Sequence, residues 1–206
     1  AMVLRVALLQ CDVDPPYGCR VPSMFKKLLE SKKDLNVAIQ VFDVTKQSYP
    51  ADYNDVDAVI ISGSISSAYE AQPWIHRLQE EVKSLHSAKR RILGICFGHQ
   101  LIAQALGGRV EKNPLGFALG WRSFRVSAAA QWALNWPAAE MRLRYCHGDV
   151  VTLLPPGAQG VGCSAHCGVE GMLIDEHILT LQGHPEMFEG GGMACLSHVA
   201  APRCLP

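Results

Sequence analysis

The sequence predicts an α/β fold in which helices flank a mostly parallel central sheet. In the first half of the chain, short apolar runs alternate with segments whose apolar residues recur at helical spacing, an order typical of strand-helix-strand units. The second half carries shorter, more alternating segments, which predict a small antiparallel addition. The length of 206 residues, 49% of them hydrophobic, suits one domain with a sizeable core.

Four strands are predicted in the first half. The run from Val3 to Leu9 is almost continuously apolar, as expected for a strand that is buried on both faces. The other three predicted strands are 37–42, 58–61 and 91–95. Their separation by helical segments makes a parallel arrangement the natural one.

Three helices are predicted between or after these strands. The first carries an apolar stripe at helical spacing, formed by Val21, Met24, Phe25, Leu28 and Leu29. The second runs from Pro73 to about Arg90, with proline in the first turn, where a helix tolerates it. The third follows the fourth strand and ends at Gly107-Gly108, a typical C-cap.

The second half is predicted to contain the short strands 120–126, 141–145, 171–174 and 178–181. The intervening stretch SAAAQWALNWPAAE shows no clean period and is expected to be a loop or a short helix. Residues 1–188 are predicted to form one domain. The remaining tail, 189–206, is rich in glycine and contains two cysteines, and we expect it to be poorly ordered.

Composition excludes several classes of function. Nineteen basic residues balance nineteen acidic ones, and no basic run is interleaved with aromatic residues, so nucleic acid is not an expected partner. The apolar N-terminus is too short to span a membrane and lacks the pattern of a secretory signal. Eight cysteines in a chain of this size are expected to be reduced thiols, which predicts a cytoplasmic protein.

The stretch GICFGHQ, residues 94–100, lies at the predicted junction between the fourth strand and the third helix. Its cysteine is either a buried structural thiol or a nucleophile on a sharp turn. Gly94 and Gly98 provide the small neighbours that a strained turn requires. The helix N-terminus favours a thiolate at Cys96, and the amide of Phe97 is directed toward the position of an oxyanion.

A general base for this cysteine is offered by the stretch QGHPE, residues 182–186, which follows the predicted strand 178–181. If the segment remains extended, His184 and Glu186 point the same way, because side chains two apart share a face of a strand. The carboxylate could then orient the imidazole and stabilise its protonated form. The hypothesis is therefore a Cys-His-Glu triad, with Cys96 as nucleophile and His184 as acid and base.

These motifs resemble those of the class I glutamine amidotransferases. GICFGHQ and QGHPE are the specific features, and CHGDVV at 146–151 is similar to the guanosine monophosphate synthetase-like and γ-glutamyl peptidase-like branch. The resemblance covers about residues 3–188. It implies a three-layer, flavodoxin-like sandwich and a γ-glutamyl thioester intermediate on the cysteine, with neither metal nor organic cofactor.

The resemblance also implies further site residues. Gly63, in the loop after the third strand, would supply the second oxyanion amide beside that of Phe97. The residues expected to contact a small-molecule γ-glutamyl substrate are Ser64, Gln100, His147, Gly148 and Asp149. The spacing of Cys163, His166 and Cys167 is irregular and offers only three ligands, so no zinc site is predicted there.

Three functions remain open at this point. The first is a stand-alone hydrolase of glutamine or γ-glutamyl peptides. The second is a glutaminase subunit that delivers ammonia to a separate synthase, because no phosphate-binding SGGxDS motif occurs in the chain. The third is a regulatory or binding module without turnover. A synthase subunit or a second copy of the chain is the possible protein partner.

Overall fold

The computed structural model of the protein describes residues 3–14, 18–31 and 35–187. The predicted tail, 189–206, lies outside these ranges. No helix within them is long and apolar enough to cross a lipid bilayer.

The first half of the chain alternates strands and helices as predicted. Its elements, in chain order, are β1 (Val3–Gln10), α1 (Val21–Glu30), β2 (Asn36–Asp43), β3 (Ala58–Ile61), α2 (Pro73–Ser87), β4 (Ile92–Ile95) and α3 (Phe97–Ala105). Gly107 has a φ of 94°, and the amide of Gly108 donates to the carbonyl of Ala103 at 2.8 Å. These features form the glycine cap predicted for α3.

The second half consists mainly of antiparallel strands. Its elements are β5 (Arg109–Lys112), β6 (Ala118–Val126), α4 (Ala128–Ala133), β7 (Glu140–His147), β8 (Asp149–Leu153), β9 (Ala158–Cys163), β10 (Gly171–Ile174) and β11 (Ile178–Leu181). The stretch SAAAQWALNWPAAE, expected to be a loop or a short helix, contains α4. The Ser127 hydroxyl caps the first turn of this helix by accepting from the Ala130 amide at 3.2 Å.

One nine-stranded mixed sheet has the order β2-β1-β3-β4-β11-β10-β9-β6-β7. Strands β2, β1, β3, β4 and β11 are parallel neighbours, whereas β10, β9, β6 and β7 continue the sheet through antiparallel pairs. Strands β5 and β8 form a separate antiparallel pair. The predicted mixed sheet with its antiparallel addition is therefore confirmed.

The core lies on both faces of this sheet. Val6 and Leu8 of β1 pack in one apolar cluster with residues of α1 such as Phe25. Ala7 and Leu9, which alternate with them, pack in a second cluster with residues of α2 and α3. Because successive strand residues point to opposite faces, one strand contributes to both clusters. The result is the three-layer sandwich that the sequence predicts.

Three strands were not predicted, and one helix is shorter than predicted. Strands β5, β8 and β9 carry polar or exposed residues at most positions, so they lack the apolar period that marks a strand. Their partners are remote in sequence, as when Lys112 pairs with Asp149. Helix α2 ends at Ser87 rather than near Arg90, because Lys89 adopts a left-handed φ of 52°.

Candidate active site

Cys96 occupies the sharp turn between β4 and α3. Its backbone has φ 54° and ψ −105°, a combination that is strained for a residue with a side chain. The amide of Cys96 donates to the carbonyl of Leu181 at 2.9 Å, which holds the turn against the end of β11. Cys96 is 4% exposed, and its thiol donates a hydrogen bond to the carbonyl of Cys146 at 3.9 Å. The turn therefore displays one sulfur at the carboxyl edge of the parallel strands.

The two glycines of the turn are required by close packing. A Cβ added to Gly94 would lie 2.5 Å from Cδ1 of Ile102, and one added to Gly98 would lie 2.4 Å from the carbonyl oxygen of Ile61. The second contact is with backbone, which cannot move aside as a side-chain tip can. The small residues predicted around Cys96 thus let α3 begin directly against the end of β3.

His184 and Glu186 lie in the segment that follows β11. Because β4 and β11 are parallel neighbours with Ile95 opposite Leu181, the segments that follow them emerge side by side. Nδ1 of His184 lies 2.7 Å from Oε1 of Glu186, and both side chains are buried. The amide of His184 donates to the carbonyl of Arg144 at 2.8 Å, which anchors the segment to β7.

The route between the two residues differs from the extended one predicted. Residues Pro185–Met187 form a short 3-10 turn. The condition of an extended segment is therefore not met, although the side chains of His184 and Glu186 do meet. The proline fixes φ near the helical value, which favours the turn, and the carboxylate curls back to the imidazole.

The charge state of His184 results from opposing effects. Burial alone would lower the pKa of the imidazole, because a charged ring is poorly solvated in the interior. The carboxylate of Glu186 and the sulfur of Cys96, through their charges and hydrogen bonds, outweigh burial and hold the pKa well above its ordinary value of 6.5. A protonated His184 is consequently favoured at neutral pH.

Gly63 and Phe97 follow the ends of the neighbouring strands β3 and β4. Gly63 is buried and follows β3 by two residues, and Ile61 of β3 pairs with Gly94 of β4. Its carbonyl accepts a hydrogen bond from the Ser62 hydroxyl at 3.0 Å. Phe97 is the first residue of α3 and is 1% exposed. Phe97 thus follows Cys96 directly, and Gly63 follows the end of the neighbouring strand; their role as oxyanion amides stays a prediction.

A cavity of about 360 Å³ opens in front of the sulfur. Its wall includes Cys96 and His184 together with all five residues expected to bind substrate, namely Ser64, Gln100, His147, Gly148 and Asp149. The structure thus brings together residues from four separate parts of the chain. The cavity is large enough to hold a small amino-acid derivative.

Gln100 and His147 are held by the backbone of Asp149. The side-chain amide of Gln100 donates to the carbonyl of Asp149 at 2.8 Å and to Oε1 of Gln182 at 3.1 Å. Nδ1 of His147 lies 2.9 Å from the same carbonyl of Asp149, so this nitrogen carries a proton. Burial lowers the pKa of His147 to about 4, which leaves Nε2 as a neutral acceptor.

The carboxylate of Asp149 fastens the loop after β3 to the cavity. It accepts hydrogen bonds from the hydroxyls of Ser67 at 2.5 Å and Tyr69 at 3.2 Å, and it lies 3.5 Å from Nζ of Lys112. Sequence reasoning missed these three partners. Ser67 and Tyr69 follow Gly63-Ser64 in the same loop, which is the only local signal that could have indicated them.

The mouth of the cavity carries exposed apolar side chains that were also missed. Ile65 is 89% exposed and Phe117 is 60% exposed, and both line the cavity. Leu115 and Leu119, next to Phe117 in sequence, are also largely exposed. Exposed large apolar residues that adjoin a cavity are typical of a binding surface.

A family profile and individual relatives of the chain both indicate the glutamine amidotransferases. The profile of the glutamine amidotransferase class-I family matches residues 21–196. A glutamine amidotransferase-like protein of Saccharomyces cerevisiae is 33% identical over 201 residues, covering 89% of this chain and 79% of the relative. Gamma-glutamyl peptidase 3 of Arabidopsis thaliana is 34% identical over 154 residues, covering 71% of this chain and 61% of the relative.

Solved structures of similar fold include glutamine amidotransferases. A glutamine amidotransferase from Thermotoga maritima superposes with a TM-score of 0.73 at 22% identity, over 89% of this chain and 76% of that one. At this identity the likeness concerns the fold alone.

Proposed function

Since the chain belongs to the glutamine amidotransferase class-I family, we propose that it hydrolyses the γ-glutamyl amide of glutamine or of γ-glutamyl peptides. The observation that carries the proposal is the juxtaposition of a strained cysteine turn with a buried His184–Glu186 pair at 2.7 Å. A structural cysteine needs neither the strain nor the adjoining imidazole–carboxylate pair. The relatives named as gamma-glutamyl peptidases support the choice of substrate class.

The proposed first half-reaction transfers the γ-glutamyl group to Cys96. The thiolate attacks the amide carbon, and the negative charge that forms on the carbonyl oxygen is stabilised by the amides of Phe97 and Gly63. His184 then gives its proton to the leaving nitrogen as the carbon–nitrogen bond breaks. The products are a γ-glutamyl thioester on Cys96 and ammonia or an amine.

The proposed second half-reaction restores the cysteine. His184, now neutral, removes a proton from water, which attacks the thioester carbon. The tetrahedral intermediate collapses with release of glutamate, and the sulfur leaves as a thiolate beside the reprotonated imidazole. Glu186 keeps the imidazole oriented and its charged form stable.

Substrate binding is assigned to the cavity wall. Polar groups beside the sulfur are provided by Ser64, Gln100, Gly148 and the neutral His147. Asp149 adds a carboxylate that suits an ammonium group.

A cytoplasmic location is also part of the proposal. It is supported by Cys11, Cys96, Cys146, Cys163 and Cys167, which are thiols rather than halves of disulfides.

A second candidate function is a glutaminase subunit that passes ammonia to a separate synthase. The exposed apolar residues at the cavity mouth favour it, because a docked synthase would cover Ile65 and Phe117 and receive ammonia where it is formed. In this case glutamine would be hydrolysed well only in the presence of the partner.

The proposal is tested by labelling with a diazo-ketone analogue of glutamine, followed by mass spectrometry of the peptides. We expect one adduct on Cys96, and none in the Cys96→Ser variant. Cys146→Ser is the matched control, because this exposed cysteine lines the same cavity, and it should label like the wild type. A folded wild-type protein without an adduct on Cys96 would leave only the regulatory or binding module.

Substrate comparison then separates the two enzymatic functions. Glutamate release is measured from glutamine and from a series of γ-glutamyl dipeptides. A stand-alone hydrolase cleaves the dipeptides without any addition. Hydrolysis of glutamine alone, and only after cell lysate is added, would assign the chain to a glutaminase subunit.

A further inference from the structure

A second group of titratable side chains lies at the opposite end of the same strands. His86 is in the last turn of α2, and Asp175 and His177 belong to the turn between β10 and β11. One potential ligand atom from each residue lies within 4.8 Å of the other two. We propose that these three side chains bind a transition-metal ion of the zinc class, independently of the proposed catalytic site.

The two imidazoles are already close to the spacing that a metal requires. Nδ1 of His86 lies 3.0 Å from Nε2 of His177, and the rings are nearly parallel, with centroids 5.1 Å apart. Zn–N bonds of about 2.0–2.1 Å in a tetrahedral site separate two ligand nitrogens by roughly 3.3 Å. The pair therefore needs to open by only a few tenths of an ångström for an ion to replace the shared proton.

The carboxylate of Asp175 is the third ligand. Its ligand oxygen lies within 4.8 Å of a ring nitrogen of each histidine, and its side chain is 51% exposed, which leaves it room to move toward the ion. Two imidazoles and one carboxylate form a mixed nitrogen and oxygen donor set that suits Zn²⁺. Water would supply the fourth position. The required changes are side-chain movements of the two histidines, Asp175 and Lys89.

The positive charge of Lys89 disfavours a bound cation, and its ion pair with Asp175 stabilises the cluster when no metal is bound. Its ammonium forms a close ion pair with Asp175, and it is 64% exposed. In the absence of metal, this ion pair and the hydrogen bond between the imidazoles pair the polar groups of the three side chains. A bound dication would repel the ammonium, so Lys89 has to turn into solvent. Removing its charge should consequently strengthen binding.

An ion at this place would join elements that are distant in sequence. The carbonyl of His177 accepts a hydrogen bond from the amide of Ile92 at 2.8 Å, so the cluster adjoins the start of both β4 and β11. Cys96 and Gln182 follow the other ends of these strands. The ion would therefore tie the end of α2 to the β10–β11 turn and stabilise the folded chain, without contact with the sulfur.

The test is titration of the metal-free protein with Zn²⁺ by calorimetry and thermal unfolding, in a Cys96→Ala background that keeps zinc from the proposed nucleophile. We expect one site involving His86, and a rise in Tm of about 5–10 °C at a free zinc concentration 100 times the Kd. His86→Ala and Asp175→Asn should each weaken this site at least tenfold. His76→Ala removes an exposed histidine from the same helix and should leave it unchanged.

Lys89→Asn sharpens the test, because asparagine tolerates the left-handed backbone at this position and carries no charge. It should bind zinc severalfold more tightly than the Cys96→Ala parent. The proposal is overturned if the parent binds no zinc. It is equally overturned if His86→Ala and His76→Ala bind zinc alike, since the metal would then be held by other residues.

Discussion

Strand β11 has a histidine and a carboxylate two residues apart at each end, and the two pairs differ in almost every physical property. Asp175 and His177 precede the strand, with Oδ2 and Nδ1 separated by 3.9 Å and the aspartate half exposed. His184 and Glu186 follow the strand, with a 2.7 Å contact between two buried side chains. The pKa of His184 is held well above 6.5, whereas that of His177 is lowered to about 4.

The difference shows that a carboxylate near a histidine does not by itself fix the charge of the imidazole. At His177, burial lowers the pKa first, and the positive charges of His86 and Lys89 lower it further, so the distant Asp175 cannot compensate. At His184, burial acts in the same direction, but Glu186 and Cys96 outweigh it. Distance and burial of the partner therefore separate a protonated histidine suited to acid catalysis from a neutral one suited to a metal.

The largest expected effect is the loss of activity when the proposed reacting groups are removed. Cys96→Ser and His184→Ala should each lower kcat/KM by about 10⁴-fold or more, since nucleophile and base act as a unit. The measurement is glutamate release from the best substrate, with circular dichroism to verify folding. His76→Ala is the matched histidine control and should retain wild-type activity. A His184→Ala variant that keeps a tenth of the activity would contradict the mechanism.

A smaller effect is expected from removing each carboxylate. Glu186→Gln should lower the pKa of His184, so that the alkaline limb of the pH–rate profile moves to lower pH, with roughly 10- to 100-fold less loss of activity than in His184→Ala. Asp175→Asn should lower the pKa of His177 only slightly, because Asp175 is a minor influence there. Histidine ring signals in NMR titrations measure both changes. Equal shifts in the two variants would refute the contrast between the pairs.

The smallest effect concerns stability in acid. Burial lowers the pKa of His99 to about 3 and that of His147 to about 4, so below pH 6.5 the unfolded chain binds protons that the folded chain does not. Stability is therefore lost as the pH falls from 6.5 toward 4. The pH dependence of stability that His184 contributes has the opposite sign. Its contribution to the free energy of unfolding is complete below pH 6.5 and is lost only as the pH rises through its raised pKa.

Urea unfolding at pH 6.5 and pH 5 measures this loss, which we expect to be roughly 1–2 kcal/mol for each of His99 and His147. His147→Gln should show a correspondingly smaller difference between the two pH values. The exposed His76→Gln should show the same difference as the wild type. If stability rises on acidification, the two buried histidines are not neutral in the folded chain.

Much of the candidate site could be predicted from local sequence. The glycines around Cys96 and the two-residue spacing of His184 and Glu186 are visible in short stretches, because a strand-to-helix turn and a histidine–carboxylate contact have local requirements. The extended path supposed for 185–187 is not the one adopted. Extended and 3-10 paths both fit the sequence, and the structure has the 3-10 turn, next to the bond between the amide of His184 and the carbonyl of Arg144 in β7.

The parts that escaped prediction depend on contacts between remote residues. Ser67 bonds Asp149 across 82 positions, and His86 meets His177 across 91. Neither pairing shows any pattern in the sequence, because the two residues of each pair are so far apart along the chain. Strands β5 and β8 likewise have no apolar period and exist through their pairing with each other.

The sequence by itself determined the alternation of strands and helices in the first half of the chain, the parallel half of the sheet and the position of the cysteine turn. Apolar period and glycine placement act over a few residues, so they can be read directly from the chain. Only the tertiary structure decided that the pKa of His184 is raised while those of His177, His147 and His99 are lowered. Charge depends on burial and on the distance to every neighbouring charge, and those quantities exist only after the chain has folded.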